Sequence, residues 1–208
     1  DGEIGDALNA SLLQYGYRNL GFGEVGMRYI TNSKQPISKP EDLKGMKIRC
    51  MENPMSIAAF QALGANPTPM ALNELFTGLQ QKTVDGQENP PAVIYDNKFH
   101  EVQQYMSMTG HFYHPLCFIV SSSWFDSLSA ADQELVAECG KNAALRQREF
   151  ITADNETAIQ KMTEAGLKIN ELTDEERQAF VDAVQPVYDE YKDEVDPSLL
   201  EKAQALNG

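Results

Sequence analysis

Hydrophobic and polar positions follow two different periods along this chain, and the clearest succession lies between Leu43 and Pro90. Met46 to Met51 is a short apolar run carrying one charge, Arg49, and reads as a strand. From Pro54 to Leu63 the residues Ile57, Ala58, Phe60, Ala62 and Leu63 gather on one side at helical spacing. Asn66 to Met70 is extended, because a residue that precedes proline is driven out of the α region. Leu72, Leu75, Phe76 and Leu79 then recur at offsets of three and four, which predicts a helix over 71–81. Thr83 to Pro90 ends the stretch, with Asp85, Gly86, Gln87, Glu88 and Asn89 read as one polar turn. The whole is strand, helix, strand, helix, strand.

On the N-terminal side, Ala7 to Tyr15 reads as the end of an amphipathic helix and Tyr17 to Phe22 as a short strand. Gly21, Gly23 and Gly26 form a glycine-rich passage. Its GFGEVG fits G-x-G-x-x-G, but an extended segment follows rather than a helix, so a dinucleotide site fails its structural requirement. Val25 to Thr31 alternates in strand fashion and places Arg28 in mid-strand.

Beyond Pro90, Ala92 to Lys98 reads as a helix and Val102 to Thr109 as the approach to a strand. Gly110 to Pro115 reads as an aromatic loop with two histidines. Leu116 to Ser121 is a continuous apolar run, as expected of a strand buried on both faces. Ser129-x-x-Asp132 opens a helix running to Ala158 or beyond, and Leu167 to Asn170 is a short strand. Thr173-x-x-Glu176 is a capping box for a helix reaching Lys192, with a kink expected at Pro186. Pro197 to Leu206 is a last short helix. Trp124 is read as a packing residue.

The 208 residues have room for one large domain or two modest lobes. A formal net charge of −14 argues against nucleic acid as a partner, since phosphates are neutralised by clustered Lys and Arg. It does not argue against an anionic ligand, because specificity resides in the pocket rather than in the surface field. Cys50, Cys117 and Cys139 match no zinc or CxxC spacing, and Cys50 and Cys117 read as small buried thiols. No cofactor motif and no metal set is found. His111 and His114, with His100, lack the H-E-x-x-H frame. No run reaches transmembrane length, and Asp1 implies a processed chain or a fragment.

Arg49 carries the sharpest chemistry. A lone charge in an apolar strand is costly, so its guanidinium calls for either an internal carboxylate or a ligand. The internal candidates are Asp85 and Glu88. For a ligand, the planar fork matches a carboxylate with two parallel hydrogen bonds, a geometry lysine lacks. Asn89 can donate to the same anion or cap the helix after Pro90. Asp85 and Glu88 read as groups that hold Arg49 in place rather than as a catalytic pair. Arg28, in mid-strand, reads on its own as a surface residue of an edge strand.

LKGMKIRC, LGANPTPMALNELFTGLQ and VDGQENP together resemble the middle of a TRAP-transporter solute-binding protein, one of the DctP-like extracytoplasmic receptors for organic acids. The resemblance runs over most of the chain. It implies an α/β, type II periplasmic-binding-protein-like architecture of two lobes, truncated at the N-terminus and braced by a long helix. It places a remnant of lobe I at 1–25 and 115–154 and lobe II at 26–114 and 155–208. The glycine passage becomes a hinge crossing. Arg49 and Asn89 fall on the carboxylate clamp, with Arg28 a supplementary donor. His111 or Tyr113 falls near residues that touch a ligand hydroxyl or second acid group. Leu72 falls near a cleft position that is aromatic in some members.

The implied function is capture of an organic-acid anion in an interlobe cleft and its delivery to TRAP membrane permease subunits, without catalysis. The implied location is periplasmic, or that of an extracellular lipoprotein in a single-membrane bacterium. An α/β enzyme acting on an organic acid and a sensor for a signalling partner stay open as alternatives. Dimerisation or swapping through the incomplete lobe is open as well, because Leu116 to Ser121 is expected to lack strand neighbours.

Overall fold

The computed structural model describes residues 2–205. Its order is α1 (Gly2–Gln14), β1 (Tyr17–Asn32), a 3-10 turn at Pro40–Leu43, β2 (Lys47–Cys50), α2 (Pro54–Ala62), β3 (Asn66–Pro69), α3 (Leu72–Gln80), β4 (Gly86–Asn89) and α4 (Pro91–Asp96). A second 3-10 turn at Phe99–Glu101 leads to β5 (Tyr105–Ser121), α5 (Ser122–Asp126), α6 (Ala130–Glu164), β6 (Lys168–Glu171), α7 (Asp174–Ala183), α8 (Gln185–Tyr191) and α9 (Pro197–Ala205).

The chain divides into two compact units. One comprises Asp1–Gly26, His114–Ala153 and Lys192–Gly208, the other Met27–Tyr113 and Asp154–Tyr191. The divides fall inside β1, β5 and α6, so each of these elements gives residues to both units. Residues 192–205 group with the first unit, whereas the sequence reading places them in lobe II. There α9 packs on α1, and Lys202 Nζ pairs with Glu3 Oε2 at 2.7 Å.

The first unit is built from α1, the start of β1, the end of β5, α5, most of α6 and α9. Small residues let α6 lie against β1. A Cβ on Gly21 would stand 2.7 Å from the Ala144 Cβ, and one on Gly23 would collide with the Gln147 side chain. Gln147 occupies that space usefully, accepting from Glu24 N at 2.9 Å and donating to Glu24 O at 2.7 Å.

The second unit holds β2, β3, β4 and β6 together with the later half of β1 and the earlier half of β5. The sheet order is β3-β2-β4-β1-β5-β6. Strand β2 runs parallel to β3 and β4, β4 antiparallel to β1, and β5 parallel to β6. Each of the parallel strands β2, β3 and β4 hands its carboxyl end to a helix. Alternation along the strands separates two cores. Ile30, Ile48, Cys50 and Phe60 belong to one, with Leu172 and Phe180 of the C-terminal segment. Leu75, Leu79, Ile94, Met106 and Met162 form the other. Phe60 and Ile48 are fully buried, which stabilises by about 1.5–3 kcal/mol for each side chain.

Helix starts follow their local chemistry. Asn53 Oδ1 accepts from Ser56 N at 3.1 Å to begin α2, with Pro54 at its first position. Thr173 and Glu176 close the expected capping box reciprocally, at 3.2 and 2.7 Å.

Several expectations are corrected. The two short strands expected on either side of the glycine passage are one sixteen-residue strand, and the left-handed φ of 109° at Gly26 is taken up within it. Gly110–Pro115 is likewise not a loop, since β5 runs through it with a positive φ at Gly110. Leu116–Ser121 is not buried on both faces: Leu116, Cys117 and Ile119 are exposed. Trp124 is about half exposed rather than packed. The single kinked helix is two helices, α7 and α8, separated at Val184 two residues before Pro186. The polar run GQEN is strand β4, the last element of the expected strand, helix, strand, helix, strand succession and not the polar turn its composition suggests, and all four of its residues are buried. Nothing hydrophobic marks it, because its neighbours satisfy it through polar side chains.

Gly86 shows how tightly β4 is seated. A Cβ there would collide with the Thr31 carbonyl oxygen and stand 2.9 Å from the Asn32 Cβ. Gly86→Ala is therefore expected to destabilise the protein by about 1–3 kcal/mol, measured as a lower urea midpoint with an unchanged slope. An unaltered midpoint would show that β4 has slack.

Candidate functional site

The sequence-predicted residues Arg49, Asn89 and Arg28 meet at the carboxyl ends of β2 and β4, within the second unit. Register accounts for this. Arg49 stands opposite Gln87, and Asn89 opposite Tyr29. Arg28, one residue before Tyr29, therefore sits beside the end of β4. The carboxyl edge of parallel strands is where open α/β sheets place their ligands.

The two arginines differ in how their charge is met. Arg28 is buried and fully engaged. Its Nε donates to Glu88 Oε2 at 2.5 Å, and its Nη2 to Glu88 Oε1 at 2.8 Å, Glu88 O at 2.9 Å and Asn89 Oδ1 at 2.9 Å. The edge-strand reading of Arg28 is thereby corrected, because β1 lies inside the sheet between β4 and β5. Arg49 is equally buried, with 4% of its surface exposed. Its only hydrogen bond among the described residues runs from Nε to Met70 O, at 2.8 Å. No carboxylate of the described residues forms an ion pair with it. Burial lowers its pKa, the charge of Glu88 raises it and that of Arg28 lowers it. A guanidinium nonetheless remains protonated in proteins, so the charge stays, and its Nη edge has no hydrogen-bond acceptor among the described residues.

Glu88 explains why the alternative, an internal ion pair for Arg49, does not form among the described residues. The carboxylate is fully buried and spent on Arg28, and His111 Nε2 lies 3.3 Å from its Oε2. Burial pushes the Glu88 pKa up. Hydrogen bonds from His111 and Arg28, with their charges, outweigh burial and leave it below the ordinary carboxyl value. Asp85, the other internal candidate, is engaged elsewhere. It accepts from Lys47 N at 2.9 Å and pairs with Lys34 Nζ at 2.8 Å, fixing the start of β2.

A relay of amides holds Asn89. Its Oδ1 accepts from Arg28, and its Nδ2 donates to Gln87 Oε1 at 2.6 Å. Gln87 Nε2 donates in turn to Thr31 Oγ1 at 2.9 Å, and Thr31 Oγ1 donates to Gln103 Oε1 at 3.1 Å. An amide nitrogen carries two hydrogens, so one on Asn89 is left for a further acceptor. The caps of α4 show no side-chain bond from Asn89, so that use of the residue is not the one adopted.

His111 is nearly buried. Its Nδ1 lies 2.7 Å from Thr109 Oγ1, and its ring packs edge-on against Phe60 at a centroid distance of 5.4 Å. It thus touches Glu88, not an open surface. His100 stacks on Tyr95 at 5.0 Å, away from any shared metal set with His111. Leu72 begins α3 and is exposed, two residues after the Met70 carbonyl that Arg49 uses. Tyr113 is half exposed.

Gln87, Thr31, Gln103 and Thr109 were not foreseen as part of the site. Only the strand register, linking residues 56 and 72 positions apart, brings Gln87, Thr31 and Gln103 into one relay, while Thr109 supports His111.

Known proteins share this frame. The model for the family described as DctP: Bacterial extracellular solute-binding protein, family 7, matches residues 1–194. The 2,3-diketo-L-gulonate-binding periplasmic protein YiaO of Escherichia coli is 43% identical over 184 residues, covering 88% of this chain and 56% of that protein. The C4-dicarboxylate-binding periplasmic protein DctP of Vibrio cholerae is 34% identical over 203 residues, 98% of this chain and 61% of its own. The chain thus spans well under two thirds of either relative. A TRAP periplasmic solute-binding protein of Ralstonia eutropha, solved with bound (S)-2-acetolactate, superposes with a TM-score of 0.92 at 36% identity, covering 98% of this chain and 67% of that one.

Protonation of Glu88 gives a testable pH dependence. Its folded pKa is depressed, so its contribution to stability is present above the unfolded value of 4.5 and is lost as pH falls below it, through the folded pKa. Urea midpoints should therefore drop between pH 7 and pH 3 by more in the wild type than in Glu88→Gln. Equal drops would show that other carboxyls govern acid sensitivity.

Proposed function

The chain belongs to the DctP family of bacterial extracellular solute-binding proteins, family 7, and on that footing we propose that it is part of a receptor that captures an organic-acid anion and delivers it to a TRAP-type secondary transporter. One observation carries this reading. Of two buried arginines at the end of the same strands, one is neutralised by Glu88 and the other, Arg49, has no carboxylate of the described chain. Leaving a buried guanidinium with one backbone acceptor is unfavourable, and a carboxylate from solution relieves it through two charge-assisted hydrogen bonds.

The spare hydrogen of Asn89 supplies a neutral third donor to the same anion, and the Arg28–Glu88 pair fixes the angle at which that amide is offered. Relatives named for 2,3-diketo-L-gulonate and for C4-dicarboxylates, with one solved holding (S)-2-acetolactate, support a carboxylate with further oxygens as the ligand. Binding without turnover fits the same geometry: Glu88, whose charge acts on Arg49 more strongly than that of Glu52, is committed to Arg28 and His111 and is not available to move a substrate proton. The place of action is outside the cytoplasm, in the periplasm or, in a single-membrane bacterium, on a lipid anchor.

Titration calorimetry of a panel of hydroxy, keto and sugar acids against the full-length protein tests the reading. At least one acid is expected to bind tightly and to be recovered unchanged. Arg49→Lys keeps the charge but loses the fork, and is expected to weaken that acid by about 2–3 kcal/mol, roughly 30- to 150-fold, with the thermal midpoint held. Retained affinity in Arg49→Lys would return Arg49 to a structural role, and conversion of the acid would replace binding by catalysis.

A further inference from the structure

Alternation along β2 sends Ile48 and Cys50 into the core shared with Phe60, and Arg49 to the opposite face, where its Nε meets the Met70 carbonyl shortly before α3. Helix α2 covers the first of these faces. It starts almost at once after β2, because residues 51–53 turn tightly, with Asn53 N donating to Met51 O at 2.8 Å. Since β3 runs parallel to β2, α2 has to carry the chain back from the carboxyl edge of the sheet to its amino edge. The first turn of α2 therefore stands at the same carboxyl edge as Arg49, within the second unit. The clamp of Arg49 and Asn89 makes no use of that turn.

Ser56 lies in this turn and is 4% exposed. Its backbone N–H is taken by Asn53 Oδ1 at 3.1 Å, but its hydroxyl makes no hydrogen bond among the described residues. The oxygen is not sealed off either. Among the described residues, the fully enclosed side-chain atoms without a partner are Arg18 Nε, His100 Nδ1 and Ser122 Oγ. Ser56 Oγ is not one of them, so the small surface that the residue keeps includes its oxygen. A buried hydroxyl without a partner is unfavourable, and this one is open to a group arriving at the edge. Four residues on, Phe60 occupies the same side of α2 and packs on His111, whose Nε2 is 3.3 Å from Glu88 Oε2. At 1.5 Å per residue, Ser56 is about 6 Å nearer the carboxyl edge than Phe60.

We propose that Ser56 is a specificity-determining residue: its hydroxyl bonds an oxygen on the body of the acid whose carboxylate Arg49 holds, so that the site takes hydroxy and keto acids in preference to otherwise identical acids lacking that oxygen. The proposal rests on the receptor reading above. A serine hydroxyl suits the task because it both donates and accepts. It accepts from a ligand hydroxyl or donates to a keto oxygen. An acid without that oxygen displaces solvent from Ser56 and forms no bond in exchange, which leaves the buried hydroxyl unpaired. Arg49 and Ser56 reach the edge from opposite faces of β2, so the oxygen read by Ser56 belongs to the body of the ligand and not to its carboxylate.

Calorimetry on the full-length protein compares acids that differ by one oxygen: gluconate and galactonate with their 2-deoxy, 3-deoxy and 6-deoxy counterparts, and 4-hydroxybutyrate with butyrate. The wild type is expected to lose about fivefold or more in affinity when one particular hydroxyl is removed, the factor that one neutral hydrogen bond contributes. Ser56→Ala is expected to weaken the hydroxylated acid by roughly threefold to tenfold and to leave the counterpart lacking that hydroxyl unchanged to within about twofold, which abolishes the preference. Because the Ser56 hydroxyl has no partner among the described residues, and alanine is the better helix former, the thermal midpoint of the ligand-free protein should not fall.

Equal weakening of both acids of a pair in Ser56→Ala would overturn the proposal, and so would a preference that survives the substitution. A lower midpoint with unaltered affinities would make Ser56 structural, and a wild type indifferent to the removal of every hydroxyl tested would leave it nothing to read. In each of these cases the receptor reading still stands if Arg49→Lys weakens binding. If no acid of the panel binds the wild type, the receptor reading itself fails and the assignment of Ser56 fails with it.

Discussion

A guanidinium buried in protein needs oxygen acceptors along its whole donor edge, and this chain provides them for one of two neighbouring arginines. Arg28 has a carboxylate, a carbonyl and an amide oxygen. Arg49 has the Met70 carbonyl on Nε. Everything that gives the site its character follows from that inequality. It depends on a single acidic residue, Glu88, lying one position before Asn89 and pointing to the face that Arg28 shares. Had the β4 register slipped by one, Glu88 would face the side of Arg49 and the pairing would invert, since a one-residue slip exchanges the faces of a strand.

The fold serves this arrangement by keeping the register fixed. Strand β4 has only four residues, none of them an apolar side chain, yet it lies in the middle of the sheet with all four buried. It is held by parallel pairing to β2, antiparallel pairing to β1, and the absence of a side chain at Gly86, which lets it approach Thr31 and Asn32. The relay from Asn89 through Gln87 and Thr31 to Gln103 satisfies the polar side chains that such a strand would otherwise bury unpaired. Polar networks of this kind hold side chains in single orientations, which is what a directional donor such as Asn89 requires.

Much of this was legible in the sequence. The helical spacing of Leu72, Leu75, Phe76 and Leu79, the capping box at Thr173 and the apolar run around Arg49 all predict elements that form. The motifs around Arg49 and Asn89 point to the family directly. What could not be read arises where tertiary packing overrides local pattern. GQEN has the composition of a turn and becomes a strand because its partners are polar. The glycines from Gly21 to Gly26, read as parting two short strands, lie inside a single one, where Gly21 and Gly23 leave room for α6. GHFYHP looks like a loop and continues β5, and α7 ends where a kink was expected. The partnership of Arg28 with Glu88 joins residues sixty positions apart, and no local signal announces it.

The most direct measurement is a crystal structure of the full-length protein soaked or grown with the acid it binds most tightly, at a resolution that separates carboxylate oxygens. Two ligand oxygens are expected within about 3.2 Å of the Arg49 nitrogens, the upper limit for such hydrogen bonds, with one also near Asn89 Nδ2 and with the Arg28–Glu88 pair intact. An acid held elsewhere, with Arg49 still bonded only to the Met70 carbonyl or turned to a carboxylate of the protein, would contradict the role given to that guanidinium.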